Sequence, residues 1–205
     1  MRGRLIAFEG GEGSGKSTQA RLLATRMDAL LTHEPGGTAL GRGIRNLVLD
    51  PSAAGIDDRA EALLMAADRA QHVAEVIRPA LDRGQHVVTD RFSGSTMAYQ
   101  GYGRGLDLAE LARLSAWSAG GIEADLVVLL DVPLDVAAAR RSQATDRMEA
   151  QDEDFHARVT AGYRELAAAD PERWSLVDGC GSVEDVAARV LAVVLTGLEP
   201  PAGPM

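Results

Sequence analysis

The 205-residue chain is poor in lysine, cysteine and aromatics, and each scarcity excludes something. A lone Cys180 cannot close a disulfide within the chain and leaves no cysteine cluster for zinc or iron–sulfur chemistry. The four histidines, His33, His72, His86 and His156, are scattered without metal-ligand spacing. Aromatics make up 4% against a hydrophobic content of 46%, so the core must be built mostly from Ala, Leu and Val. No apolar run approaches the ~18 residues of a membrane span, and no leader pattern precedes the first apolar stretch. The expectation is a cytoplasmic protein without a membrane partner. A formal net charge of −9 argues against general nucleic-acid binding. Any phosphate handled here must be met by arginines gathered locally against an acidic field.

The single lysine is Lys16, and its setting is specific. Gly10-Gly11-Glu12-Gly13-Ser14-Gly15-Lys16-Ser17 fits the phosphate loop G-x-x-x-x-G-K-[ST]. Leu5 to Phe8 reads as the buried strand before it, and Ala20, Leu23, Ala24 and Met27 give the helix after it. In such a loop, backbone N–H groups wrap a phosphate and the helix N-terminus adds its dipole. A compact ammonium at Lys16 suits the outer phosphates better than a planar guanidinium. Ser17 can ligate Mg²⁺. The plainer reading is an ordinary glycine turn before a helix.

Further strands are expected at 29–32, 86–89, 125–131 and 174–178, alternating with helices. Thr38 is placed to cap a helix carrying Leu40, Ile44, Leu47 and Val48, with Arg42 and Arg45 sharing one face. Those arginines read equally well as a solvated surface. A long helix over 57–81 takes Leu63, Leu64, Ala67, Ala70, Val73, Ile77 and Leu81 as its apolar stripe, with Asp68 and Arg69 beside it. Asp90-Arg91 falls at the carboxyl end of a buried strand, where open parallel sheets bind ligands. Phe92 to Tyr99 reads as a short helix bearing Ser93, Ser95, Thr96 and Tyr99, followed by a glycine-rich loop from Gln100 to Gly105. The polar break at 142–145, with Arg141 and Arg147 on either side, is either a lid or a plain connection. Residues 199–205 read as a disordered tail. The pattern specifies an α/β three-layer sandwich: one domain over 1–198, a five-stranded parallel sheet flanked by helices, and a short lid at about 141–149.

A phosphate loop alone does not choose between kinases, motors and regulators. The chain is little larger than one sheet with its helices. Arginines at strand ends and in the broken segment would suit two anionic substrates held in line, since phosphoryl transfer needs positioning and charge neutralisation. An ATP-hydrolysing regulator is the alternative from another class.

Taken together, Phe8 to Gln19, Glu34-Pro35-Gly36-Gly37-Thr38, Ala66 to His72, Asp90-Arg91-Phe92 with Ser95 and Ala98 to Gly101, and Asp146-Arg147-Met148-Glu149 resemble the bacterial thymidylate kinases. The motifs run in the family's order from residue 5 to about residue 180. The resemblance implies a P-loop kinase that moves the γ-phosphoryl group of ATP to dTMP. It implies ATP held by Gly10, Gly11, Glu12, Gly13, Ser14, Gly15, Lys16, Ser17 and Thr18, with Mg²⁺ on Ser17 and near Asp90. It implies dTMP held by Glu12 at the 3′-hydroxyl, Arg45 and Arg91 at the phosphate, Arg69 with Ser95 or Thr96 at the base, and Tyr99 at the sugar. Lys16, Arg91, Arg141 and Arg147 would be the catalytic cations, and the protein a homodimer packed through helices. Three positions depart from the family. Met65 replaces a phenylalanine that stacks on the base, which leaves a kinase for another nucleotide as the alternative. His33 replaces an arginine, and the lid is shorter and poorer in arginine.

Overall fold

The computed structural model describes residues 2–52, 55–140 and 146–198. Arg141 and the tail at 199–205 therefore lie outside the described residues, as does most of the expected lid. The elements run β1 (Leu5–Glu9), α1 (Lys16–Met27), β2 (Leu30–His33), α2 (Ala39–Leu49), α3 (Asp58–His72), α4 (Arg78–Asp82), β3 (Val87–Asp90), α5 (Ser93–Thr96), α6 (Leu108–Ser118), β4 (Leu126–Asp131), α7 (Leu134–Arg140), α8 (Glu153–Ala169), β5 (Trp174–Asp178) and α9 (Val183–Gly197). The five strands are parallel in the order β2-β3-β1-β4-β5, with β1 central.

Alternation along β1 builds the three layers. Ile6 and Phe8 turn to one face, where Val88, Val128 and Leu130 meet Ala20 and Leu23 of α1 and Val186, Val190 and Val194 of α9. Leu5 and Ala7 turn to the other, against Val73, Ile77, Leu81 and Phe92. A third cluster, Tyr99, Leu129, Met148, Phe155, Val159 and Tyr163, closes the end of the sheet that carries the phosphate loop. Thr38 caps α2 by accepting from the Gly41 amide, as its position suggested. Ser182 and Asp185 form a capping box on α9.

Two expectations need correction. Gln100 to Gly103 is not loop: a π-helical segment, Met97–Gly103, continues directly from α5. Close packing favours a small residue here, since a Cβ on Gly103 would lie 2.6 Å from the buried Phe155 ring. The stripe assigned to α3 is also rotated. Glu61, Ala62, Ala66, Asp68, Arg69 and His72 are buried, while Leu63 is 59% exposed. The helix turns its acidic and basic side chains inward because they form a paired network there, and apolar periodicity cannot register such a face.

Candidate active site

The carboxyl ends of β1 and β3 meet at one place, and the site is built on that meeting. After Glu9 the chain turns through Gly10 to Gly15 into α1. Gly15 caps that helix at φ 94 and Gly13 sits at φ 79, a left-handed region that costs glycine little. A Cβ on Gly13 would lie 2.3 Å from the Ala137 carbonyl. Lys16 is buried, and its Nζ donates to the Gly11 carbonyl at 2.7 Å and to Ser14 Oγ at 3.3 Å. Burial, reinforced by the Arg91 charge, pulls its pKa down to about 8. A phosphate there would replace a weak carbonyl partner with a full negative charge.

Beside the loop, the Ser17 hydroxyl donates to Asp90 Oδ2. Asp90 Oδ1 is buried with no hydrogen-bond partner among the described residues. A hydroxyl and a carboxylate with a spare oxygen are the hard donors Mg²⁺ takes, with nucleotide phosphates and water completing the shell. Among the described residues no group of three or more His, Cys, Asp or Glu could hold a metal by itself.

Arg91 is the centre of the arrangement. Its backbone takes φ 73, unusual for a residue with a side chain. That turn aims the guanidinium back over the phosphate loop. Nη1 reaches the Gly10 carbonyl at 3.3 Å, Ser95 Oγ at 3.1 Å and Tyr163 Oη at 3.2 Å. Nη2 pairs with Glu12 and donates to Tyr99 Oη at 3.1 Å. Burial raises the Glu12 pKa, but Arg91 and then Lys16 overcome it and hold the carboxyl at about 2. The Tyr99 hydroxyl donates to the same Glu12 oxygen at 2.9 Å, and its ring lies 4.9 Å from the Arg91 guanidinium.

Behind Arg91 sits Glu9, 0% exposed. It accepts from the Phe92 amide at 3.0 Å, the Ser95 amide at 3.1 Å, Ser95 Oγ at 2.6 Å and Tyr163 Oη at 3.1 Å. It thereby fixes the turn that carries Arg91. Glu9 stands in the motif from Phe8 to Gln19, where the pattern alone assigns it no role. A carboxylate closing a buried strand was the available signal.

These groups border a cavity of ≈ 540 Å³ that brings together Glu12, Lys16, Ser17, Arg45, Met65, Arg69, Asp90, Arg91, Ser95, Thr96 and Tyr99. Residues far apart in sequence and assigned to an acceptor on resemblance thus share one space. The cavity has the size of a small-ligand site. Arg45 donates to the Pro35 carbonyl at 3.0 Å from its rim. Arg69 is buried and donates to Glu34 at 3.0 Å, to the Phe92 carbonyl at 3.1 Å and to Thr96 Oγ1 at 3.0 Å. Its Nη1 is buried with no partner among the described residues. His33, Leu49, Gln100 and Met148 also line the space.

Of the two arginines assigned to the lid, Arg141 is outside the described residues. Arg147 turns towards α2 and α3. Its Nε donates to the Val48 carbonyl at 2.9 Å and its Nη2 pairs with buried Glu61. It anchors the segment after the break to α2 and α3, and the sequence offered no sign of Glu61 as its partner.

A family model described as thymidylate kinase matches residues 8–190. A thymidylate kinase of Solidesulfovibrio magneticus is 50% identical, with 92% of this chain and 97% of that protein aligned. One of Cutibacterium acnes is 45% identical over 97% of this chain and 98% of that protein. The crystal structure of thymidylate kinase from Ehrlichia chaffeensis superposes with a TM-score of 0.80 at 31% identity, covering 95% of this chain and 100% of that one.

Proposed function

The chain belongs to the thymidylate kinase family and transfers the γ-phosphoryl group of ATP to dTMP, and we propose that its own residues divide that work as follows. The amides from Gly10 to Thr18 wrap the ATP phosphates, and Lys16 leaves the Gly11 carbonyl for the outer phosphates. Ser17 and Asp90 are the residues that would hold Mg²⁺. When bound, the cation supplies charge neutralisation across the outer phosphates of ATP.

The acceptor lies in the cavity with its phosphate between Arg45 and Arg91. Arg69 offers its unpartnered Nη1 to a carbonyl oxygen of the thymine, with Thr96 on the same edge, and Met65 lies on the face of the ring. Tyr99 fills the space beside the sugar, and Glu12 is within reach of the deoxyribose 3′-hydroxyl. An oxygen of the dTMP phosphate forms the new P–O bond as the bond to ADP breaks. The attacking group is already anionic, so no side chain has to remove a proton. The work is alignment and charge, and an arginine on the transferring group can be worth on the order of 10³–10⁵ in rate.

The observation that carries this reading is Arg91, which touches the Gly10 carbonyl of the phosphate loop and the acceptor-side residues Ser95 and Tyr99 with one guanidinium. A coupled assay of ADP release over a panel of monophosphates tests it, with Arg91→Met beside the unchanged enzyme. The expected result is that dTMP is the best acceptor and that Arg91→Met lowers turnover by at least about 10³. Near-normal turnover in that variant overturns the assignment.

The enzyme works as a homodimer in the cytoplasm, where ATP and dTMP are found. No described helix is long and apolar enough to cross a membrane. Leu40 and Leu47 of α2, Leu63 of α3 and Trp117 of α6 are exposed at 54%, 59%, 59% and 79%. α3 packs between the other two helices. A second copy laid across these three helices would cover that apolar surface. Sedimentation of Leu63→Glu tests it: a lighter species is expected, and an unchanged mass refutes this face as the contact.

A further inference from the structure

Glu61 is a carboxylate with no exposure, four residues before Met65 and eight before Arg69 on α3. It ties together parts of the chain that lie far apart in sequence. Arg104, beyond the π-helical segment, pairs with it at 3.2 Å, and Arg147 pairs with it from the segment after the break. The third partner is Gln100, whose Nε2 donates to Glu61 Oε1 at 2.8 Å. Gln100 is 1% exposed, yet it lines the acceptor cavity.

The chemistry of these partners is asymmetric. A glutamine side chain has a donor end and an acceptor end of nearly the same shape, and only a neighbour can choose between its two orientations. Burial pushes the Glu61 carboxyl up, but the Gln100 amide and the Arg147 and Arg104 guanidiniums outweigh it and hold it below its ordinary value. An ionised carboxylate only accepts. Nε2 is therefore committed to Glu61, which leaves Oε1 as the acceptor Gln100 can offer a ligand. Thr96, one turn before Gln100, accepts from Arg69, whose Nη1 is buried without a partner among the described residues. Arg69 and Gln100 both line the cavity, so one wall carries a donor, the Arg69 guanidinium, and an acceptor, Gln100 Oε1. Thymine presents a carbonyl oxygen beside an N3–H and complements that pair. Cytosine presents an amino group beside a bare nitrogen and opposes it at both places.

We propose that Glu61 is a positioning residue for base selection: by fixing which end of the Gln100 amide faces the acceptor cavity, it makes the cavity prefer a base with a carbonyl beside an N–H. This rests on the reading above that the acceptor base lies against Arg69. Breaking a buried polar match of this kind costs about tenfold or more in discrimination.

The experiment compares kcat/KM for dTMP and dCMP in Glu61→Gln, Gln100→Leu and the double variant. A glutamine at 61 can donate as well as accept, so the Gln100 amide is free to turn. The expected result is a fall of about tenfold or more in the dTMP:dCMP ratio for each single variant, with KM for ATP unchanged. In the double variant Glu61→Gln should lower the ratio no further, because there is no amide left to orient. An equal fall in both backgrounds, or a lower melting temperature with the ratio unchanged, overturns the proposal. If Glu61→Gln does not fold, Gln100→Leu decides by itself, and an unchanged ratio there is fatal. Arg69→Met separates the two levels of the argument. If it relaxes the ratio while Glu61→Gln does not, only the role of Glu61 fails; if neither does, the placement of the base fails with it.

Discussion

The Ser17 hydroxyl of the phosphate loop donates to one oxygen of Asp90, and the other oxygen of that carboxylate is buried with no partner among the described residues. A group so left costs stability unless something claims it when the enzyme works. Asp90 closes β3, where the parallel register sets it opposite Phe8 of β1 and His33 of β2. Asp90→Asn keeps the shape and the bond to Ser17 but removes the charge. The half-saturating Mg²⁺ concentration should rise about 10–100-fold, with kcat recovering in part at high Mg²⁺. Measuring rate against Mg²⁺ at saturating ATP checks this. An unchanged Mg²⁺ dependence would remove Asp90 from the metal's surroundings.

Tyr99 performs two tasks that substitution can separate. Its ring packs against Phe155 and Tyr163, with centroids 6.1 Å and 6.3 Å away, and its hydroxyl holds Glu12. Tyr99→Phe keeps the bulk and loses the hydroxyl. The ratio of deoxyribo- to ribonucleotide turnover should then hold while kcat falls by about tenfold. Tyr99→Ala should raise relative turnover of UMP and lose about 3–5 kcal/mol of stability through the cavity it leaves. Acceptor ratios beside thermal melts decide both. A ribo-to-deoxy ratio indifferent to Tyr99→Ala places the sugar elsewhere.

Much of this was legible before any coordinates. The five strands follow from apolar runs bounded by turn residues. Their carboxyl ends gather Lys16, Asp90 and Arg91, because a parallel sheet must place them on one edge. Hidden from the sequence was the polar interior. Glu61, Asp68, Arg69 and His72 form a buried face that apolar periodicity reads as surface, so the stripe on α3 was displaced towards Leu63. Each of these residues is tolerated inside only through a partner from a distant segment, such as Glu34 for Arg69 and His72. Arg147 meets the same limit: whether an arginine is mobile or an anchor depends on a carboxylate 86 positions away. Gln100 to Gly103 was read as loop from its glycines, though Gly103 serves close packing inside a π-helical turn.

The ion pair of Glu12 with Arg91 should appear in acid stability. The folded pKa of Glu12, about 2, lies below its ordinary 4.5. The unfolded chain therefore binds a proton first as pH falls. The stabilisation is fully present above about pH 4.5 and is lost as pH drops towards 2. Its size is on the order of 3 kcal/mol for a carboxylate as shielded as this one. Urea unfolding at pH 6 and pH 3 should show a large loss in the unchanged protein and a smaller one in Glu12→Gln. Equal losses in the two proteins would mean that the pair does not protect the carboxylate.

Lys16 makes the sharpest statement about pH, because burial and then the Arg91 charge bring its pKa to about 8. In the free enzyme the ammonium that ATP must meet loses its proton near that pH. The profile of kcat/KM for ATP should therefore fall on the alkaline side with a midpoint near 8. The profile of kcat at saturating ATP should run flat to higher pH, since bound phosphates hold the charge in place. Lys16→Ala should cost at least about 10²-fold in turnover with the fold intact, because its hydrogen-bond partners among the described residues are the Gly11 carbonyl and Ser14 Oγ. Lys16→Arg should rescue little, a planar fork being a poor substitute for a point charge inside a tight loop. The arginine variant also moves the titrating group out of range, so whatever activity remains should lose the alkaline limb. Initial rates from pH 6 to 10 at low ATP, for the unchanged enzyme and Lys16→Arg, test both points. An alkaline limb that survives in the arginine variant would assign the titration to another group.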